Sequence, residues 1–147
     1  VTSMSPPALI VALTILAVLD QERDQLVRDL RDKAGAAVSG FPPSPETLAR
    51  HIPDVRTMIH CTPVGMSPKV DESCVPAALL SSHVTVMDIV YNPLDTRLLK
   101  DARRAGCRTV RGLEMFLHQA IGQFELWTLQ PAPAGVMRSV LERHFAT

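Results

Sequence analysis

The sequence has no charge excess, since fifteen Lys and Arg are matched by fifteen Asp and Glu over 147 residues. A nucleic-acid binder needs a basic stripe to meet phosphates, so nucleic acid is not an expected partner. Cysteine is scarce too. Cys61, Cys74 and Cys107 are odd in number and far apart, which fits neither a disulfide framework nor the paired spacing of a zinc site. A reducing cytoplasm is the expected location, and no metal site is expected. The longest apolar run, Pro7 to Leu19, is shorter than the ~20 residues that span a bilayer. No basic residue precedes it and no small-residue cleavage pattern follows, so neither a membrane span nor secretion is expected. Glycine is sparse at the start. Gly35 and Gly40 are the only ones in the first forty residues, and neither sits between a strand and a helix start, where a phosphate-cradling turn needs it. Because the first residue is Val1 rather than Met, the natural N-terminus is expected upstream.

What is present is an apolar content of 46%, enough for one domain with its own core. The apolar stretch ending at Asp20 reads as a buried strand over about Thr14 to Leu19, although periodicity alone does not separate a buried strand from a buried helix. Leu26, Val27 and Leu30 then recur at helical spacing. Gly40 to Ser44 is loop chemistry, and Ser44 with Pro45 at the first helical position starts a short helix through about His51. Thr57 to Cys61 reads as a short strand, and Val84 to Tyr91, rich in β-branched residues and stopped by Asn92-Pro93, as the clearest strand. Leu98, Leu99 and Ala102 mark a helix closed by Gly106. A short strand over Cys107 to Val110 precedes helices over Leu113 to Thr128 and Gly135 to Phe145. Phe116, Phe124 and Trp127 are expected in the core, and His118 and His144 on exposed helix faces.

Strands alternating with helices predict an α/β fold: a partial Rossmann-like, doubly wound parallel sheet with C-terminal helices over 113–145. In such sheets ligands sit beyond the carboxyl ends of the strands. Three such ends carry notable residues. Asp20 can accept the ribose hydroxyls of an adenosine or merely cap the next helix, and the two readings weigh evenly. Thr62-Pro63-Val64-Gly65-Met66 pairs a rigid Pro with a permissive Gly, which suits either an ordinary turn or a loop held close to a ligand. Tyr91, Asn92 and Pro93 either close a strand or face a ligand.

These strings resemble a known family. Thr62 to Met66, then Asp88-Ile89-Val90-Tyr91-Asn92-Pro93-Leu94 with Thr96, Leu98 and Leu99, then Gly112-Leu113-Glu114-Met115, Gln119 and Phe124 to Thr128 look like successive C-terminal motifs of shikimate dehydrogenases, in order over about His60 to Leu141. Similar sequences occur fused to 3-dehydroquinate dehydratase. The resemblance implies reduction of 3-dehydroshikimate to shikimate by hydride transfer from NADPH, with NAD in the quinate-using branch. It implies that Gln119 and Tyr91 meet the substrate. Asp20, Thr62, Pro63, Val64, Gly65, Met66, Ile89, Gly112 and Met115 would meet the cofactor.

The sequence departs from the pattern in several places. His60 and Cys61 stand where the family usually has Asn before Ala-Thr-Pro, and Leu129 follows Thr128 where Gly is common. The family's substrate domain, with its serine pair, catalytic Lys and partner Asp, has no counterpart before Val1, so residues 1–147 are expected to form a truncated nucleotide-binding domain. Tyr91 and His60 are the remaining proton-transfer candidates, and neither has an evident partner in the sequence. Two functions follow: an oxidoreductase segment that is inactive alone and needs an N-terminal substrate domain, or a non-catalytic module that binds a metabolite or a partner chain.

Overall fold

The computed structural model describes residues 13–16, 20–34 and 37–145, with side-chain surroundings for 21–33 and 37–145. They fall into two compact units divided between Arg50 and His51.

The first unit is a strand–helix–strand crossover followed by a short helix: β1 (Leu13–Leu16), α1 (Asp20–Ala34), β2 (Val38–Phe41) and α2 (Pro45–His51). β1 and β2 pair in parallel with Leu13 opposite Val38 and Leu16 opposite Phe41. The strand expected over Thr14 to Leu19 is thus present over Leu13–Leu16, and residues 17–19 lie outside the described residues. β2 lies partly where a loop was expected. Gly40 is a strand residue because α1 comes so close that a Cβ there would stand 2.8 Å from Val27 and 2.9 Å from Arg23; a strand glycine can mark such an approach as well as a turn. α1 turns Arg23 and Val27, one turn apart, inward, while Leu26 is exposed. Arg31 Nε donates to the Val38 carbonyl at 2.8 Å and ties the end of α1 to the start of β2.

The second unit holds a three-stranded parallel sheet in the order β3 (Thr57–His60), β4 (Thr85–Asp88), β5 (Arg108–Arg111). Alternation decides what β4 buries: Val86 and Asp88 are fully enclosed while Thr85 and Met87 are half-buried. Helix α3 (Arg97–Arg104) crosses from β4 to β5 and lays Leu98, Leu99 and Ala102 into the core. Each buried Leu contributes roughly 2 kcal/mol by removal from water. Thr96 caps α3 by accepting from the Leu99 amide at 3.3 Å, and Asp101 is neutralised by Arg97 and Arg104 at 2.7 and 2.9 Å.

Helix α4 (Gly112–Thr128) buries Gly112, Leu113 and Leu117 in its first two turns and nothing after them. Trp127, expected in the core, is therefore 76% exposed on the part of α4 that has left the sheet behind. Helix α5 (Ala134–Phe145) returns along α4, where Arg138 grips Glu114 through two hydrogen bonds of 2.7 and 2.8 Å. That pair holds the Glu114 carboxyl below the usual range. The turn between the two helices keeps the backbone shape that Gly favours, although Leu129 occupies it: φ is 54° and its amide donates to the Glu125 carbonyl. A left-handed residue with a side chain is strained by ~1–2 kcal/mol, and Leu129 is 84% exposed, so little burial offsets the strain. Leu129→Gly is expected to stabilise the protein by about 1 kcal/mol. Urea unfolding checks this, with a raised midpoint at unchanged slope; a lowered midpoint would mean that the Leu side chain makes a contact worth more than the strain.

Candidate functional site

Two loops leave the carboxyl ends of β3 and β4 side by side, as a parallel sheet requires. The first, from Cys61 to Ser67, turns on Gly65, whose φ is +81° and where a Cβ would come within 3.0 Å of the Glu72 carbonyl oxygen. Met66 closes the turn by donating its amide to the Pro63 carbonyl at 3.1 Å. The second loop begins where the Val90 amide leaves the ladder and donates instead to Asp88 Oδ1 at 3.0 Å. That side-chain bond ends β4 at Asp88, three residues before the expected boundary at Tyr91. The Ser67 amide donates to the Asn92 carbonyl at 3.0 Å and joins the loops.

Between them lies a cavity of about 420 Å³ lined by Cys61, Thr62, Pro63, Met66, Ser67, Ile89, Val90, Tyr91, Asn92 and Phe145. That volume lies within the range of small-molecule sites. The Tyr91 ring stacks on Phe116 of α4, with centroids 4.9 Å apart and planes 7° from parallel, and meets the edge of Phe145 of α5 at 5.3 Å. Phe116 is therefore a half-buried support for Tyr91 rather than plain core. Gly112 opens α4 directly against the second loop, where a Cβ would stand 2.4 Å from the Ile89 carbonyl oxygen and 2.6 Å from that of Val90.

Of the residues picked out in the sequence, Thr62, Pro63, Met66, Ile89 and Tyr91 line this one cavity. Val64 and Gly65 belong to the loop that forms it, and Gly112 lies against the Ile89 and Val90 carbonyls of the second loop. Met115 and Gln119 follow on α4 without lining the cavity; Gln119 is exposed, three residues beyond the ring that supports Tyr91. Asp20 is the first residue of α1 in the other unit, and its side chain lies outside the described residues. Among the described residues no group of three His, Cys, Asp or Glu side chains could hold a metal ion, and no helix is long and apolar enough to cross a membrane.

Beneath the cavity is a feature the sequence did not reveal. His60, for which the sequence offers no evident partner, is buried with its Nδ1 2.9 Å from Asp88 Oδ1. Its Nε2 is hydrogen-bonded to Thr62 Oγ1, which also accepts from the Val64 amide at 3.3 Å. Asp88 itself, with no exposed surface, accepts a third bond from the Thr96 hydroxyl at 2.6 Å. Burial alone would lower the imidazole pKa, but the hydrogen bond to Asp88 and the nearby Cys74 outweigh it and raise the group from 6.5 to about 9. Cys61, by contrast, is pushed up by burial and by the nearby Asp88 charge, and so is poorly suited to act as a thiolate. The signal for the pair was register: His60 and Asp88 are opposite one another at the ends of β3 and β4.

Two outcomes follow. An imidazole titrating near 9 when folded and 6.5 when unfolded contributes stability that is fully present below pH 6.5 and lost as pH rises through 9. Stability of the parent chain should fall across that window by an amount on the order of 3 kcal/mol, and His60→Asn should flatten the fall; an unchanged pH profile in the variant would remove His60 as its source. Gly112→Ala should destabilise by roughly 2–4 kcal/mol, because the clashing atoms are backbone and have nowhere to move. Thermal unfolding of the variant checks this.

Comparison with known proteins agrees with this layout. Residues 112–142 match the family model for the Shikimate 5'-dehydrogenase C-terminal domain. A shikimate dehydrogenase (NADP(+)) from Dehalococcoides mccartyi is 36% identical over 130 residues, covering 88% of this chain and 46% of the relative. A shikimate 5-dehydrogenase from Listeria monocytogenes, solved with shikimate and NAD, superposes with a TM-score of 0.79 at 29% identity over 88% of this chain and 46% of that one. A shikimate dehydrogenase solved with NADP+ gives the same TM-score and identity over 90% of this chain and 46% of its own. The chain thus spans about half the length of the relatives it matches. In sequence and in fold it belongs to the shikimate dehydrogenase family, as that family's C-terminal portion.

Proposed function

We propose that this chain is the cofactor-binding part of an oxidoreductase that reduces 3-dehydroshikimate to shikimate, with NADPH or NADH as hydride donor. The observation that carries this reading is the cavity between Thr62 and Tyr91, formed by the two loops that follow adjacent parallel strands, the position at which α/β sheets bind their ligands. Its lining suits a nicotinamide. Ile89, Val90 and Met66 offer apolar contact for a flat ring, while Thr62, Tyr91 and Asn92 supply polar groups for its amide. Gly112 allows α4 to begin against the Ile89 and Val90 carbonyls and keeps that wall free of side-chain bulk. Met115, one turn on, would border the ring, and the Thr62 to Met66 loop would cover it. Bound there, the cofactor supplies the hydride.

For the substrate, Tyr91 and Gln119 are the proposed contacts. Tyr91 is held by stacking on Phe116. Gln119 is exposed on the same helix and offers both a donor and an acceptor to a polyol without a charge. Asp20, in the other unit, is a proposed adenosine-ribose contact on the family resemblance alone; an acid in that role disfavours a 2′-phosphate and favours NAD.

In this reading the 147-residue polypeptide is inactive alone. Its lysines are Lys33, Lys69 and Lys100, and none lines the cavity. The chain covers 46% of the relative's length, and a polypeptide supplying the remaining part is the proposed partner. A second reading, a binding module without catalysis, draws on Leu126, Trp127, Leu129, Val136 and Val140, all exposed on the α4–α5 hairpin, large apolar groups that a partner surface would cover.

Complementation separates the two. Purified chain mixed with shikimate and NADP or NAD should give no rise in reduced-nicotinamide absorbance. Adding the N-terminal half of a relative should produce turnover, and Gln119→Ala should then lower kcat/KM by about tenfold or more. Turnover by the isolated chain would move proton transfer to Tyr91 or His60. No turnover in the mixture, with both halves folded, would favour the binding module.

A further inference from the structure

Thr62 is the one polar cavity residue whose hydrogen-bonding role is decided from behind. Its hydroxyl oxygen has two lone pairs and one proton. One lone pair takes the Val64 amide. The other contact is His60 Nε2, and the direction of that bond depends on His60. Asp88 accepts from the Val90 amide at Oδ1 and from the Thr96 hydroxyl at Oδ2, and with Asp88 as a carboxylate the contact at His60 Nδ1 is a donation to Oδ1. If Nε2 is bare, it accepts the Thr62 proton and the hydroxyl is turned away from the cavity. If Nε2 carries a proton, it donates to Thr62 Oγ1, both lone pairs are filled, and the hydroxyl proton has only the cavity left to point into.

We propose that His60, held as a cation against buried Asp88, is a positioning residue that makes Thr62 an obligate hydrogen-bond donor into the cavity, so that the site selects a ligand with an acceptor oxygen there. The electrostatics agree: Asp88 from β4 and Cys74 from the chain after β3 are the titratable groups that act on the imidazole, and both favour its charged form. A buried carboxylate without a cation is costly, whereas a charge-assisted pair with filled hydrogen bonds is tolerated. Resting on the proposed function, the acceptor is the carboxamide oxygen of a nicotinamide.

Two measurements test this in the whole chain. Nitrogen-15 NMR of the imidazoles should find both His60 nitrogens protonated at pH 7, and a bare Nε2 would overturn the proposal. Binding of nicotinamide, of NADP+ and of NAD+ is then followed through the backbone amides of Thr62, Val64 and Tyr91. Thr62→Val should weaken the binding of nicotinamide and of whichever dinucleotide binds by about tenfold, the loss expected for one hydrogen bond to an uncharged acceptor, while Thr62→Ser should keep it. Affinity in the parent chain should fall as pH rises through 9 and be independent of pH in His60→Asn. Thioamide nicotinamide, whose sulfur accepts poorly, should bind about as weakly to the parent as nicotinamide does to Thr62→Val. Binding of NADP+ or NAD+ that is unaffected by Thr62→Val, or whose pH dependence is unchanged in His60→Asn, overturns the donor role and leaves the cofactor reading standing. Binding of nicotinamide that Thr62→Val weakens, with no binding of either NADP+ or NAD+, supports the donor role and counts against the cofactor reading. If no ligand perturbs these amides, both fall.

Discussion

A carboxylate with no exposed surface sits at the centre of the second unit, and the arrangement around it follows from the need to keep that charge satisfied. Asp88 accepts from His60, from the Val90 amide and from the Thr96 hydroxyl. Each bond fixes a different piece of chain. The first sets the end of β3, the second turns the chain out of β4, and the third places the cap of α3. Because both cavity loops emerge from these points, the cavity geometry is tied to one buried charge. Leaving such a group short of partners costs several kcal/mol, so the three bonds are expected to form or break together rather than one by one.

The elements of the fold were legible because the sequence states them locally. The segment around β4 carries Val84, Val86 and Val90 with a turn behind, and α2 has Ser44 before Pro45, as Ser44 Oγ accepting from the Thr47 amide bears out. β2 was hidden by Gly40, whose reason for being glycine lies in α1, distant in sequence. Trp127 misled for a similar cause: an aromatic on an amphipathic helix is normally buried, but here the helix outruns the sheet. At the site, the Thr62 and Tyr91 loops could be found as strand ends. The partner of His60 could not, because which strand lies beside β3, and in what register, is a tertiary fact.

The same distinction applies to family resemblance. It located the motifs in order, yet His60 was visible only as a departure, with no indication that the substituted residue had acquired Asp88 as a counter-ion. Replacing an amide with an imidazole at a strand end brings a proton whose position depends on neighbours from two other segments. A motif records what residue is there, and the hydrogen-bond directions have to come from the packing.

The length of α4 has a consequence for motion. Its two opening turns are sealed by Leu113 and Leu117, its later turns contribute no buried residue, and Gly122, with nothing within 4 Å of a Cβ built on it, stands between the two regimes. A mid-helix glycine without a packing role weakens the backbone by roughly 0.5–1 kcal/mol. Amide exchange along this one helix should accordingly divide in two. Protons before Gly122 would wait for the sheet to come apart, whereas those after it would be released by fraying of the hairpin tip, so a single rod of secondary structure contains two cooperative units.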